Sequence, residues 1–320
     1  MSFSLSPIHR ESNDGVFVSW LGSPAHFLAL GADTAERYCL SAGMSQVGGG
    51  APPHRHDFEE GFYILKGSLT FVAGNETHVL GQGDFINIGA NVAHSIRNES
   101  GQLAEALTIC APAGFDRFQI EGGYPMEGPG AVVVPVSDEV RAKMLASAVK
   151  HGIEMNPPAS AFEETPQVHV GRVGEGDIID VVGDRYRFIV QGEHTAGRYA
   201  MWEAIVYPGG GPPPHLHQRE DEGFYVLEGE LSFFTPEASF KAVSGHFLHL
   251  PLGGRHWFRN ETDRPVRVLI FVIPAGLEKM FAQVGTRVVS MDAPLSLPNS
   301  DKAKLLGEIA GSYRLEIGLG

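Results

Sequence analysis

Apolar residues in this chain come in short runs broken by Gly, Pro and Asn. In the first half the runs are Arg37–Leu40, Phe62–Leu65, Ser68–Val72, Phe85–Ile88 and Ala104–Ile109. In the second they are Arg198–Val206, Phe224–Leu227, Leu231–Phe234, Phe247–Leu250 and Val266–Ile273. Runs this short, bounded by turn residues, predict the strands of an all-β sandwich or barrel. Each half then closes on one helical stretch. Ser137-Asp138-Glu139 opens Val140–Lys150 with an N-cap and an acidic first turn, and Gly152 stops it. Ser300-Asp301 opens Lys302–Ile309, which stops near Gly311. Asn156-Pro157-Pro158 through Thr165-Pro166 reads as a linker. Residues before Gly31, and Val168 to Arg187, are expected to add strands that join the two sheets.

The two halves are copies. Gly31–His56 matches Gly192–His217 at a constant offset, with 12 of 26 positions identical, too many for chance. One residue is then inserted in the second copy. Beyond it Glu60-Gly61-Phe62-Tyr63 falls on Glu222-Gly223-Phe224-Tyr225, His94 on His256, and Arg97-Asn98-Glu99 on Arg259-Asn260-Glu261. The predicted domains are therefore 1–155 and 156–320.

Histidines recur in register. The first copy has His54, His56 and His94 with Glu60; the second has His215, His217 and His256 with Glu222. His-x-His on a strand turns both imidazoles to one face, because strand side chains alternate. The Glu sits close to the start of the next strand run, where a turn can return its carboxylate to the same point. Three imidazoles and a carboxylate suit a divalent transition metal such as Fe, Mn, Co, Ni or Cu, one per copy. Structural zinc more often uses thiolates, and no Cys is near these residues in sequence. A lone His is usually a hydrogen-bonded core or loop residue. His9, His26, His78, His151, His169, His194, His246 and His249, which are not repeated, take that reading.

The run Gly-Gly-Gly-Ala-Pro-Pro-His54-Arg-His56-Asp-Phe-Glu-Glu60-Gly-Phe-Tyr, with Gly67, resembles the first cupin motif. Gly83 through His94 to Asn98 resembles the second, and the copies at His215 and His256 match both. One departure is Asn91, where the family often has the Gly found at Gly253. The resemblance implies two tandem double-stranded β-helix (jelly-roll) barrels, each followed by a short C-terminal helix, with a metal in one mouth of each. Among two-domain cupins the chain looks most like the quercetin 2,3-dioxygenase group. That implies a metal-dependent dioxygenase using O2 on a flavonol or a related enolic or aromatic small molecule. Fe, Mn, Co or Ni would be held by His54, His56, Glu60 and His94, and by His215, His217, Glu222 and His256. Glu60 and Glu222 would act as catalytic proton acceptors. Cupins of this kind commonly form dimers, so a homodimer stays open.

Composition narrows the partners. The net charge is -14 and both copies are acidic, so no nucleic-acid or anionic-membrane surface is expected. There is no signal-peptide pattern and no long apolar run, and the two cysteines, Cys39 and Cys110, exclude a disulfide framework. A reducing, cytoplasmic setting is the simplest expectation. The residues expected near each metal are apolar: Met44, Phe62, Phe71, Phe85 and Ile96 in one copy, Ile205, Phe224, Phe233, Phe247 and Phe258 in the other. They offer no second carboxylate. Arg55 alternates away from the His face, and Arg97 and Arg259 are expected to face outward. A small dianion such as oxalate would want cations there. The dioxygenase reading thus stands ahead of an isomerase, decarboxylase or other lyase, and of a non-catalytic binding bicupin.

Overall fold

The computed structural model describes residues 6–296 and 300–318. These form two compact units. One is Asn13–Val173; the other combines the described residues up to Ser12 with those from Gly174 onward. Every strand pairing is antiparallel, as short alternating runs joined by tight turns require.

The N-terminal unit has an eight-stranded sheet. Its order is Tyr124–Met126, Val16–Trp20, Ser23–Ala29, Cys39–Ser45, Ala104–Ala111, Glu59–Lys66, Phe85–Ile88, Val168–Gly171. A second sheet runs Glu154–Met155, His54–Arg55, His94–Arg97, Ser68–Ala73, Glu76–Gly81. The C-terminal unit repeats the plan. Its large sheet runs Ile8–Arg10, Phe247–Leu250, Asp221–Glu228, Val266–Ile273, Ala200–Val206, Asp184–Val190, Ile178–Val181, Thr286–Val288. Opposite it lie Ser239–Val243, Glu230–Phe234 and Trp257–Arg259, and the strand His215–His217 paired with Leu315–Ile317. The cores fill the space between sheets, with Phe62, Phe71 and Ile86 in one unit and Trp202, Phe224 and Phe233 in the other.

The segments expected to add strands do so, in a crossed arrangement. Ile8–Arg10 pairs with Phe247–Leu250, and Val168–Gly171 pairs with Phe85–Ile88, the equivalent strand of the other unit. Val16–Trp20 and Ser23–Ala29 stay in the N-terminal sheet. The helix predicted at Val140–Lys150 spans Asp138–Lys150, with the Ser137 side chain accepting from the Val140 amide. The one predicted at Lys302–Ile309 spans Ser300–Ile309.

Each unit also has a helix that sequence reading passed over, Phe115–Gly122 and Leu277–Val284. Their N-caps are Gly114 and Gly276, so the usual Ser, Thr or Asp start signal is missing. Asp116 and Glu278 take that role from inside the first turn. Asp116 accepts from the amides of Gly114 and Gly31, and Glu278 from those of Gly276 and Gly192. Other repeated polar residues are structural too. Asn98 donates to the carbonyls of Ser45 and Gln102, and Asn260 to those of Val206 and Arg264. No helix among the described residues is long and apolar enough to cross a membrane.

The third Gly of each Gly-Gly-Gly run has a packing reason. Gly50 and Gly211 have φ +139° and +121°, and a Cβ there would lie 2.0 and 2.1 Å from the carbonyls of Ile96 and Phe258. Only Gly lets the His-x-His segment close onto the strand carrying the last His. Gly211→Ala should lower the melting temperature by roughly 3–10 °C, measured by calorimetry, since forced overpacking costs about 1–3 kcal/mol. An unchanged melting temperature would refute this account of the close approach.

Candidate metal centres

Each half brings its three histidines and one glutamate together. One ligand atom from each of His54, His56, Glu60 and His94 lies within 4.8 Å of the others, and the same holds for His215, His217, Glu222 and His256. All eight residues are buried. The backbone explains the convergence. His94 pairs with His54 across neighbouring strands, and His215 bridges to His256. The glutamates enter from the large sheets, on Glu59–Lys66 and Asp221–Glu228. None of the eight unrepeated histidines joins either group among the described residues.

In the first centre the Glu60 Oε2 lies 3.0 Å from His56 Nε2 and 3.1 Å from His94 Nε2. Each imidazole is fixed from behind by a nearby carbonyl. His54 Nδ1 lies 2.8 Å from Pro52 O, His56 Nδ1 3.1 Å from Phe58 O, and His94 Nδ1 2.9 Å from Val92 O. A carbonyl only accepts, so Nδ1 of each ring donates to it and Nε2 is the nitrogen turned to the centre, where a metal would take it. Burial, followed by the neighbouring His94, lowers His54 to about 3, so its ring is neutral. Burial alone would raise Glu60, but hydrogen bonds from His56 and His94 hold it well below the usual carboxylate range. Three imidazoles and an ionised carboxylate turned to one point fit a divalent transition metal.

The second centre differs in one support. His215 and His256 are fixed by the carbonyls of Pro213 and Gly254, both at 2.9 Å. His256 Nε2 lies 2.8 Å from Glu222 Oε2, and His217 Nε2 3.3 Å from it. Behind His217, however, stands a carboxylate: Glu220 Oε2 lies 3.7 Å from Nδ1. The first copy has Phe58 at that place, stacked on the His56 ring at 3.8 Å. Burial works against a charged His217, but Glu222 and Glu220 outweigh it and bring the group up to about 9. Burial lowers His215.

Two features of the surroundings lay outside the sequence reading. Cys39 and Cys110 are direct cross-strand partners, both free and buried. The Cys110 Sγ lies 3.8 Å from Glu60 Oε1. Burial, then the Cys39 thiol, pushes Cys110 well up, so it faces Glu60 as a neutral thiol. The second copy has Ala200 and Val272 there. The other feature is a second carboxylate. The walls were expected to hold none, but Asp184 lines the C-terminal cavity beside Tyr186, Trp202, His215 and Glu222. It precedes the repeated block and has Ser23 as its counterpart, so no motif pointed to it. Of the expected wall residues, Met44, Phe62, Ile96 and Phe258 do line the cavities. Phe71, Phe85, Phe224, Phe233 and Phe247 are buried in the unit interiors instead. Ile205, also expected, does not line the C-terminal cavity. Arg97 and Arg259 are exposed, and Arg55 pairs with Glu154 at 2.7 Å.

The comparisons with known proteins agree with this picture. A family model described as a cupin domain matches residues 44–110 and 202–273. Quercetin 2,3-dioxygenase of Bacillus subtilis (strain 168) is 27% identical over 274 residues, which is 82% of this chain and 80% of that protein. The polyketide synthase CurC of Streptomyces cyaneus is 30% identical over 86 residues, 27% of this chain and 56% of its own length. Among solved structures, Bacillus subtilis oxalate decarboxylase at pH 4.6 gives a TM-score of 0.58 at 17% identity, covering 86% of this chain and 78% of that one. The formate complex of Lactobacillus farciminis oxalate decarboxylase gives 0.59 at 15% identity, covering 88% and 92%. At such identities these structures share the fold.

Asp184 makes the second cavity sensitive to pH. Burial raises it from 3.8 to about 7, against the pull of the Tyr207 and Gly211 amides. The folded protein thus keeps a proton that the unfolded chain releases near pH 4. The stability this group contributes is complete below that pH and is lost as pH rises through about 7. Melting curves of metal-free protein between pH 5 and 8 should show Asp184→Asn gaining on the wild type by a few degrees as pH rises. Parallel curves would show that Asp184 does not titrate there.

Proposed function

Because the chain is a bicupin, with a cupin domain in each half, we propose that it is a metal-dependent dioxygenase. It would hold one divalent transition metal (Fe, Mn, Co or Ni) per half and cleave a flavonol or related enolic or aromatic substrate with O2. The observation that carries the reading is the convergence of three imidazoles and a carboxylate in each buried centre. His54, His56, Glu60 and His94 are the ligands in one half, and His215, His217, Glu222 and His256 in the other. Support for the oxygenase chemistry comes from the quercetin 2,3-dioxygenase that is 27% identical over 82% of the chain. The fold likeness to oxalate decarboxylases keeps a metal-dependent decarboxylase or lyase as the second reading. Against oxalate itself, neither cavity is lined by Arg or Lys among the described residues.

A metal bound in such a centre supplies positive charge that acidifies a substrate hydroxyl. The remaining work falls to the chain. Glu60 is ionised and fully buried, so it is ready to accept a proton from a hydroxyl within hydrogen-bond reach. Held so low, it is a weak base and suits only an already acidified hydroxyl. The Cys110 thiol donates to the other carboxylate oxygen, Oε1, at 3.8 Å. Glu222 is likewise held well down, by His217 above all, against the effect of burial. In the C-terminal cavity a largely apolar wall would keep water from the electron-rich enolate on which O2 acts.

Elemental analysis should find about two metal equivalents per chain, and His94→Ala and His256→Ala should each remove about one. An oxygen electrode should record uptake with a flavonol and enol panel. Glu60→Gln and Glu222→Gln should slow uptake by about 10²–10⁴-fold in whichever copy turns over substrate. Absence of uptake with every one of these metals would sink the dioxygenase reading. Full turnover in the double Gln variant would sink the proton-acceptor role.

A further inference from the structure

The two cavities are built from equivalent positions and have different walls. The interior of the N-terminal cavity is the roomier, about 130 Å3 against about 70 Å3 in the other. Strand register shows where they diverge. In the N-terminal sheet Cys39, Cys110 and Glu60 form one cross-strand row, and Ser41, Thr108 and Phe62 form the next on the same face. In the C-terminal sheet the row beside Glu222 is Trp202, Ile270 and Phe224. Two hydroxyls therefore stand where the second copy has an indole and a branched alkyl group. The neighbouring helix repeats the contrast, with Gln119 in one cavity and Phe281 in the other. Ala25 in the first cavity likewise has Tyr186 as its counterpart in the second.

Hydrogen bonding gives the difference a direction. Gln119 is 6% exposed and lines the N-terminal cavity, yet its Oε1 is buried with no hydrogen-bond partner among the described residues. The Ser45 Oγ, on the same wall, is in the same condition. An unmatched buried acceptor is costly, and a ligand hydroxyl relieves it. In the C-terminal cavity the Phe281 ring meets Tyr186 and Trp202 edge to face, with centroids 5.3 and 5.5 Å away. That wall offers mainly ring faces where the first copy offers a carboxamide and hydroxyls; its polar groups are the Asp184 carboxylate and the Trp202 Nε1, a buried donor with no partner among the described residues.

We propose that the two centres select different ligands. The N-terminal cavity takes an enolic ring that carries further hydroxyl groups away from the metal, and Gln119, with Ser41 and Thr108, determines that specificity. The C-terminal cavity, with Phe281, Trp202 and Ile270 in those places, takes a ring without them. This rests on the enolic or aromatic reading given above.

The test measures binding and needs no turnover. Full-length protein loaded with redox-silent zinc is titrated under nitrogen with two flavonols, followed by their absorbance shift. One bears only the enolic hydroxyl; the other adds catechol hydroxyls on its distal ring. With the C-terminal centre disabled by His256→Ala, the catechol form should bind roughly tenfold tighter, the worth of about one hydrogen bond. Gln119→Phe should abolish that preference, and Gln119→Leu serves should the bulkier variant fail to fold. With His94→Ala instead, the bare flavonol should be preferred. Equal preferences in the two backgrounds, or a preference that survives both Gln119 variants, overturn the proposal. Failure of either flavonol to bind at zinc-filled centres overturns it together with the substrate reading, and leaves the metal sites standing.

Discussion

A carboxylate taken wholly out of water needs compensation, and Glu60 and Glu222 are both buried. Their surroundings are organised by that need. Imidazoles crowd each glutamate, and each imidazole needs its far nitrogen matched as well. In the first centre every match is a carbonyl within two residues of the histidine itself. Short strands and Pro- or Gly-rich turns supply such carbonyls at the required places. The metal centre and the turn chemistry are thus one requirement expressed at two scales.

That link explains what could be read from the sequence. The eight ligand candidates were legible because strand alternation and exact repetition both mark them, and the structure brings each set together. The all-β class, the doubling and the helices at Asp138–Lys150 and Ser300–Ile309 followed from run length and cap residues. The helices Phe115–Gly122 and Leu277–Val284 were not legible, because their capping acids lie inside the helix and reach a distant turn. Asp184 and the Cys39–Cys110 pair escaped for a different reason. Their importance comes from strand register, which brings residue 110 beside residues 39 and 60, and no local pattern encodes that.

The two copies show which positions duplication left free to change. Ligands, the third glycine, the buried asparagines and the acids that tie helix to turn keep their type in both. What differs is the row of side chains next to the glutamate and the group behind the second histidine. Those positions touch the ligand space or tune a ligand, and carry no backbone requirement of their own. Divergence without loss of fold is cheapest there.

The crossed edge strands have a further consequence. Ile8–Arg10 completes the sheet of the C-terminal unit, and Val168–Gly171 completes that of the N-terminal unit. Neither copy, cut at the repeat boundary, contains every strand of its own sheet. A deletion that returned the chain to a single copy would uncover the open side of Phe85–Ile88 or Phe247–Leu250, an invitation to aggregation. Duplication followed by exchange works as a ratchet: once each half borrows its margin from the other, losing either copy harms both.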